Sequence, residues 1–342
     1  MISRIYNVKI STIYSDWPFA QQTPNKSLCW DNYRFYINND DIKECDYWII
    51  YEGLEKAEEI NVSASNVLLI TAEPPNFKRY SNKFIQQFHT VRCAHKYLKH
   101  SNIISSHPAL PWHVGRRVRG EKNLSFDLPY DKLIKNIPNK KTGLLSTITS
   151  NKSFTSEHRA RIEFVKKLES RFVGKLKVYG RGIRDITDKW NAIAPYKYHI
   201  VIENGCFEDY WTEKISDAFL ANTFPFYIGC PNLKDYFPEG SYMELDINDI
   251  EGAYKKIEFA IENNYYEKSS SARSIARDLC LNKYNLFPEI VDWCKKNPVK
   301  NKKPLKIYPE NVFKEIPRAV FNLKSWIALR YYKLRYFFKF FL

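Results

Sequence analysis

Glycine and methionine are scarce in this chain, with 11 and 2 among 342 residues. No glycine-rich tract occurs, and Gly180-Arg181-Gly182 lacks the third glycine of a dinucleotide loop, which leaves a nicotinamide site weakly supported. No D-x-D stands anywhere, the element with which metal-dependent nucleotide-sugar enzymes hold cation and diphosphate; Glu244-Leu245-Asp246 is the nearest imitation and reads as ordinary strand. His95, His113 and His199 have no metal-ligand spacing. The seven cysteines are odd in number and form no C-x-x-C, so neither a zinc site nor a disulfide framework is indicated. No apolar run approaches the ~20 residues that span a bilayer. Met1 to Ala20 lacks the continuous apolar stretch of a signal peptide. A reducing, cytoplasmic location is the expectation.

What is present is a globular composition, 44% hydrophobic and 16% aromatic, in a chain long enough for two cores. The net charge of +15 is unevenly placed. Lys295 to Leu342 holds 13 Lys+Arg against Glu310 and Glu315, which leaves the rest with 40 Lys+Arg against 36 Asp+Glu. A nearly neutral body with a basic tail argues against a nucleic-acid binder whose folded face is basic.

Apolar runs at Tyr6 to Tyr14, Tyr47 to Tyr51 and Val67 to Thr71 read as strands, with a helix from about Tyr80 to Phe88 and short strands near Val91 and Ile103. Asn123 to Lys141, with two prolines and little periodicity, reads as a linker. Beyond it stand a strand at Leu144 to Thr149 and a helix from Glu157 to Arg171, capped by Thr155 or Ser156. A strand at Leu176 to Tyr179, a helix over Asp249 to Asn263 and further helices to Cys294 complete the pattern. The chain divides in three: an α/β domain over 1–135, a second over 142–296, and a basic aromatic tail over 297–342. Two such halves imply a cleft.

The most informative block runs from Tyr196 to Asp246. Its strand His199-Ile200-Val201-Ile202 enters Glu203-Asn204, then an aromatic-acidic loop. A helix starts at Thr212-Glu213-Lys214, and the buried strand Phe224 to Ile228 comes next. Charged groups at a helix start after a strand suit an anionic ligand such as a nucleotide diphosphate. Glu203-Asn204, Asp209-Tyr210, Thr212-Glu213-Lys214, Ala218, Pro225 and Gly229 stand in the order and spacing of a known donor-binding motif. In this the block resembles glycosyltransferase family 10, the bacterial α-1,3/1,4-fucosyltransferases among them.

The resemblance implies two Rossmann-like α/β domains facing a cleft (GT-B type), no metal and no cofactor, and inverting transfer of L-fucose from GDP-β-L-fucose. The acceptor it implies is an oligosaccharide, such as α-1,3 to GlcNAc or Glc of a lipopolysaccharide O-antigen. Thr71-Ala72-Glu73-Pro74-Pro75-Asn76-Phe77 is similar to the element whose glutamate serves as base, so Glu73 is the candidate catalytic residue, with Ala72 where Gly is common. Otherwise it is a solvated acid beside a Pro-Pro turn. His158 to Phe164 is similar to a helix whose arginine meets the diphosphate; the register gives Arg161, with Arg159 as fallback, and a wet helix face is the bland alternative. Lys214 shares that role. Glu213 takes ribose hydroxyls or serves as a first-turn acid favoured by the helix dipole. Asn204 and Tyr210 offer uncharged donors, unless Tyr210 only packs, and Glu203 holds the loop through backbone hydrogen bonds.

Pro317 to Leu342 interleaves cations with aromatics, which suits an anionic membrane surface and hence peripheral attachment to the inner face of the cell membrane. A packed terminal helix and stacking on single-stranded nucleic acid are the rivals. Two other readings of the whole chain stay open: a transferase using another GDP-sugar, and a non-catalytic membrane- or nucleic-acid-binding protein on the same scaffold.

Overall fold

The computed structural model describes residues 4–119, 122–149 and 156–313. The tail from Pro317 onward and the cap expected at Thr155 lie outside them. The first lobe holds β1 (Tyr6–Thr12), β2 (Cys29–Trp30), β3 (Tyr33–Ile37), β4 (Tyr47–Tyr51), β5 (Glu58–Val62), β6 (Val67–Ile70), β7 (Thr90–Cys93) and β8 (Ile103–Ser105). All but β5 join one sheet in the order β2-β3-β1-β4-β6-β7-β8, parallel except for β2 against β3. Strands β4, β6 and β7 are buried at every position, as a parallel sheet covered on both faces requires. The period of two then splits β4. Tyr47, Ile49 and Tyr51 enter one core, while Trp48 and Ile50 enter the other with Phe84, Ile85 and Phe88. Of the helix expected over Tyr80 to Phe88 only α1 (Asn82–Ile85) forms, because the chain enters β7 five residues later.

The expected linker carries structure of its own: β9 (Arg116–Arg119) pairs with β10 (Lys122–Phe126), and α2 (Tyr130–Lys135) starts behind Pro129. Proline here sets a helix start, and the helix buries Leu133. The second lobe continues with β11 (Gly143–Ile148), α3 (Ser156–Arg171), β12 (Leu176–Tyr179), α4 (Trp190–Ile193), β13 (Tyr196–Ile202), α5 (Glu213–Leu220), β14 (Phe224–Ile228), β15 (Met243–Glu244) and α6 (Ile250–Glu262). Its sheet is parallel throughout, ordered β12-β11-β13-β14-β15. Side chains of α3 and α6 cover one face through Phe164, Leu168 and Ile257, and α5 covers the other.

Counting only the parallel strands of each lobe, both sheets share one doubly wound order, in which the second strand precedes the first and the third comes after it. Ligands bind such sheets where the order reverses, outside the carboxyl ends of the strands. Those points fall after β1 and β4 in the first lobe, and after β11 and β13 in the second.

After α7 (Tyr265–Lys268) and α8 (Ser270–Asn282) the chain crosses back. Helix α9 (Leu286–Lys296) packs Phe287, Ile290 and Trp293 under the first sheet, and β16 (Lys303–Ile307) runs antiparallel to β5. The division expected at 296 therefore falls inside first-lobe packing, since an amphipathic helix does not declare in sequence which sheet it covers. The crossing is pinned by charge. Glu289 on α9 accepts from Arg92 at 2.6 Å and contacts His107 Nε2 at 2.7 Å, and the His107 ring stacks on Trp211 at 4.0 Å. Burial alone would raise the Glu289 carboxyl, but Arg92 and His107 hold it well below the usual carboxylate range. Glu289→Ala strands the buried Arg92 charge beneath the first sheet and should cost about 3–5 kcal/mol in urea unfolding. A loss under about 1 kcal/mol would show that water reaches this pair freely.

Candidate active site

A cavity of about 410 Å³ opens where the carboxyl ends of the two sheets face each other. Glu73 reaches it from beyond β6, Thr149 from β11, Gly180 from β12 and Asn204 from β13. Gly180 sits at φ +131°, and the Thr149 carbonyl oxygen occupies the place where a Cβ would stand, so this close approach of two strand ends admits only glycine.

The turn presenting Glu73 is built by a second acid that the sequence motifs did not single out. Glu52 comes directly after β4 at φ +66° and is fully buried. It accepts from the amides of Ala72 at 2.5 Å and Glu73 at 3.3 Å, from Lys78 Nζ at 2.5 Å and from the Tyr80 hydroxyl. His95 Nε2 lies 2.7 Å from the Glu73 carbonyl. Burial, then the Glu52 charge, push the Glu73 carboxyl above the ordinary value, against Lys78, Lys214 and a hydrogen bond from Tyr14. The signal for Glu52 was the one that exposed Glu73: an acid close behind a wholly apolar strand.

The cations come from the second lobe. Arg161 on α3 is 8% exposed and lines the cavity. Its Nη1 donates to Asn204 Oδ1 at 3.0 Å, and among the described residues its buried Nε has no partner. Among the described residues no carboxylate pairs with it; burial lowers its pKa, opposed only by the charge of Glu203. Arg159, two positions and about 200° away around the helix, is exposed and is not among the cavity-lining residues.

Helix α5 is capped by Thr212, whose hydroxyl accepts from the Lys214 amide. Lys214 Nζ lies in the cavity wall, 3.1 Å from Glu203 Oε2 and 3.0 Å from Thr212 Oγ1. Burial would lower this ammonium, but Glu203 and Glu213 outweigh it and hold it protonated. Glu203 itself accepts from the Thr212 amide and hydroxyl at 2.9 and 2.7 Å, a holding role.

Glu213 is buried behind the cavity wall, and Tyr210 is buried at 3% exposure, also away from the lining. One turn apart on α5, Glu213 and Asp217 share Lys189, at 3.0 and 3.2 Å. Burial would lower the Lys189 ammonium and raise both acids; the outcome is a raised Lys189, a Glu213 held well below its usual range by Lys189 and Lys214, and an Asp217 raised to about 6. Lys189, which also lines the cavity, was missed; its only sequence signal was an Asp-Lys pair ahead of Trp190. Lys189→Met leaves the buried Asp217 without its cation and Glu213 with only the more distant Lys214, at 3.7 Å, and His113, and should lower stability by roughly 3–5 kcal/mol. Thermal unfolding with and without the change measures it, and an unshifted midpoint would refute the pairing.

Chemically, the cavity can hold an anion against Arg161 and Lys214 while offering Glu73 as a proton acceptor on the opposite side. Residues 138–264 match the model of glycosyltransferase family 10 (fucosyltransferase) C-term. The chain is 30% identical over 134 residues to 4-galactosyl-N-acetylglucosaminide 3-alpha-L-fucosyltransferase 9 of Bos taurus, covering 37% of this chain and 36% of that one. It is 32% identical over 114 residues to alpha-(1,3)-fucosyltransferase 4 of Mus musculus, covering 31% of this chain and 25% of that one. The chain thus spans well under half the length of these relatives. A crystal structure of an alpha1,3-fucosyltransferase superposes with TM-score 0.50 at 15% identity, covering 79% of this chain and 82% of that chain, a likeness of fold. Residues 138–264 are thus similar to the C-terminal domain of glycosyltransferase family 10, and the chain around them folds as two facing α/β lobes of the GT-B type.

Proposed function

We propose that the chain transfers L-fucose from GDP-β-L-fucose to a hydroxyl of an acceptor glycan with inversion, giving an α-1,3 link. One observation carries this reading: Glu73 from the first lobe and Arg161 and Lys214 from the second line a single cavity. Glu73 takes the acceptor proton as the hydroxyl oxygen attacks the anomeric carbon. The bond from that carbon to the β-phosphate oxygen breaks, and GDP leaves with the electron pair. Arg161 and Lys214 stabilise the charge that develops there, a role that fixed cations fill without reorganisation. The Arg161 Nε and Thr149 hydroxyl, buried in residues that line the cavity and without a partner among the described residues, supply donors for the diphosphate. Lipopolysaccharide or a similar surface glycan as acceptor, and an anionic membrane held by the basic tail, complete the proposal.

The test is GDP-fucose turnover against a panel of galactose- and N-acetylglucosamine-terminated oligosaccharides, with linkage read by NMR. Glu73→Gln should lower kcat by about 10²–10⁴, and Arg161→Ala or Lys214→Ala by about 10²–10³. Full activity in any of the three removes its assigned role, and transfer from another GDP-sugar alone replaces the donor. Turnover should survive EDTA.

The base works ionised, and its carboxyl is raised, so activity should fall with acidification at a pH above the ordinary glutamate value of about 4.3. A kcat profile flat down to about pH 4 would exclude Glu73 as the group titrating.

A further inference from the structure

We propose that Phe77 is the platform on which the acceptor sugar stacks, an inference that rests on the transferase reading above. Phe77 is 75% exposed, a large apolar side chain left in water. Scattered exposed hydrophobic residues are ordinary and need no account. Phe77 differs by position: of the large exposed hydrophobic side chains among the described residues, it alone lines the cavity. Being both exposed and lining, it stands at the rim, four residues after Glu73.

The turn that carries it is held rather than loose. The Phe77 and Lys78 amides donate to the Pro74 carbonyl at 3.0 and 3.1 Å, and Lys78 is anchored on Glu52. Asn76 Nδ2 reaches the Asn204 carbonyl of the second lobe at 3.2 Å, fixing the rim across the cleft. Nothing in these contacts consumes the Phe77 ring. A pyranose presents an apolar C–H face on one side and hydroxyls around its edge. An aromatic ring covers that face, and a neighbouring carboxylate meets a hydroxyl at the edge. Phe77 and Glu73 supply that pair from one turn of chain. The donor is bound to the opposite lobe by Arg161 and Lys214, which leaves the Phe77 side for the acceptor. The ligand class is therefore a pyranoside whose attacked hydroxyl is equatorial to an unobstructed C–H face.

Steady-state kinetics of Phe77→Ala test this, with GDP-fucose and the best oligosaccharide of the panel. The acceptor KM should rise about tenfold, while the KM for GDP-fucose stays within about twofold. Phe77→Trp keeps a ring and should leave the acceptor KM near that of the unaltered protein. An unchanged acceptor KM in Phe77→Ala overturns the inference, as does a rise confined to GDP-fucose, which would put the ring against the donor sugar. Those outcomes leave the transferase reading intact. Failure of the unaltered protein to transfer from GDP-fucose to any glycan defeats that reading, and this inference with it.

Discussion

The second-lobe wall of the cavity depends on Glu203, a buried carboxylate satisfied on both oxygens. It stands directly after β13 and takes the Thr212 amide on one oxygen, and the Thr212 hydroxyl and Lys214 ammonium on the other. Its own amide donates to Ile228 at the end of β14. One residue thus ties two strand ends to the first turn of α5. A buried ion pair adds little net stability, because desolvation offsets the Coulombic gain. Its contribution is position. With its acceptor and cap fixed, the Lys214 ammonium keeps one place in the wall before any ligand arrives, and such preorganisation is where electrostatic stabilisation of a leaving group comes from.

The same logic separates the cations by their surroundings. Lys189 is shared by two acids on successive turns of α5 and is neutralised there. Among the described residues Arg161 donates to the Asn204 amide oxygen, with a buried Nε left over. Positive charge that an incoming anion can use is therefore offered by Arg161, in part by Lys214, and by the exposed Arg181 that also lines the cavity. On the other side, Glu52 repels Glu73 while holding its backbone, so the first lobe contributes an acid that accepts protons more readily than a free glutamate. Glu73 thus faces Arg161 and Lys214 of the other lobe across the cavity, and helix α9 is held to the first lobe by Arg92 and by His107, whose ring stacks on Trp211 of the second.

Much of this was legible in advance. Wholly apolar runs such as Val67 to Ile70 and Phe224 to Ile228 are strands because a parallel sheet covered on both faces needs no polar alternation. The start of α5 was legible because a threonine hydroxyl caps a helix on its C-terminal side alone, and the acid and lysine after Thr212 suit a first turn. The linker misread as irregular shows the limit of composition: its prolines punctuate short elements instead of preventing them.

The alternation of strand and helix, the acid after β6, the polar cluster after β13 and the cap of α5 were all set locally, by neighbours within a few residues. Packing of the two lobes settled the remainder: that α9 belongs to the first lobe, and that Arg161 rather than Arg159 faces inward. Packing also made Lys189 the partner of Glu213, and Glu52 the support of Glu73. Each of those depends on groups far apart in the chain. Such pairings are chosen by which buried charges find partners when two sheets meet, and no local pattern records that.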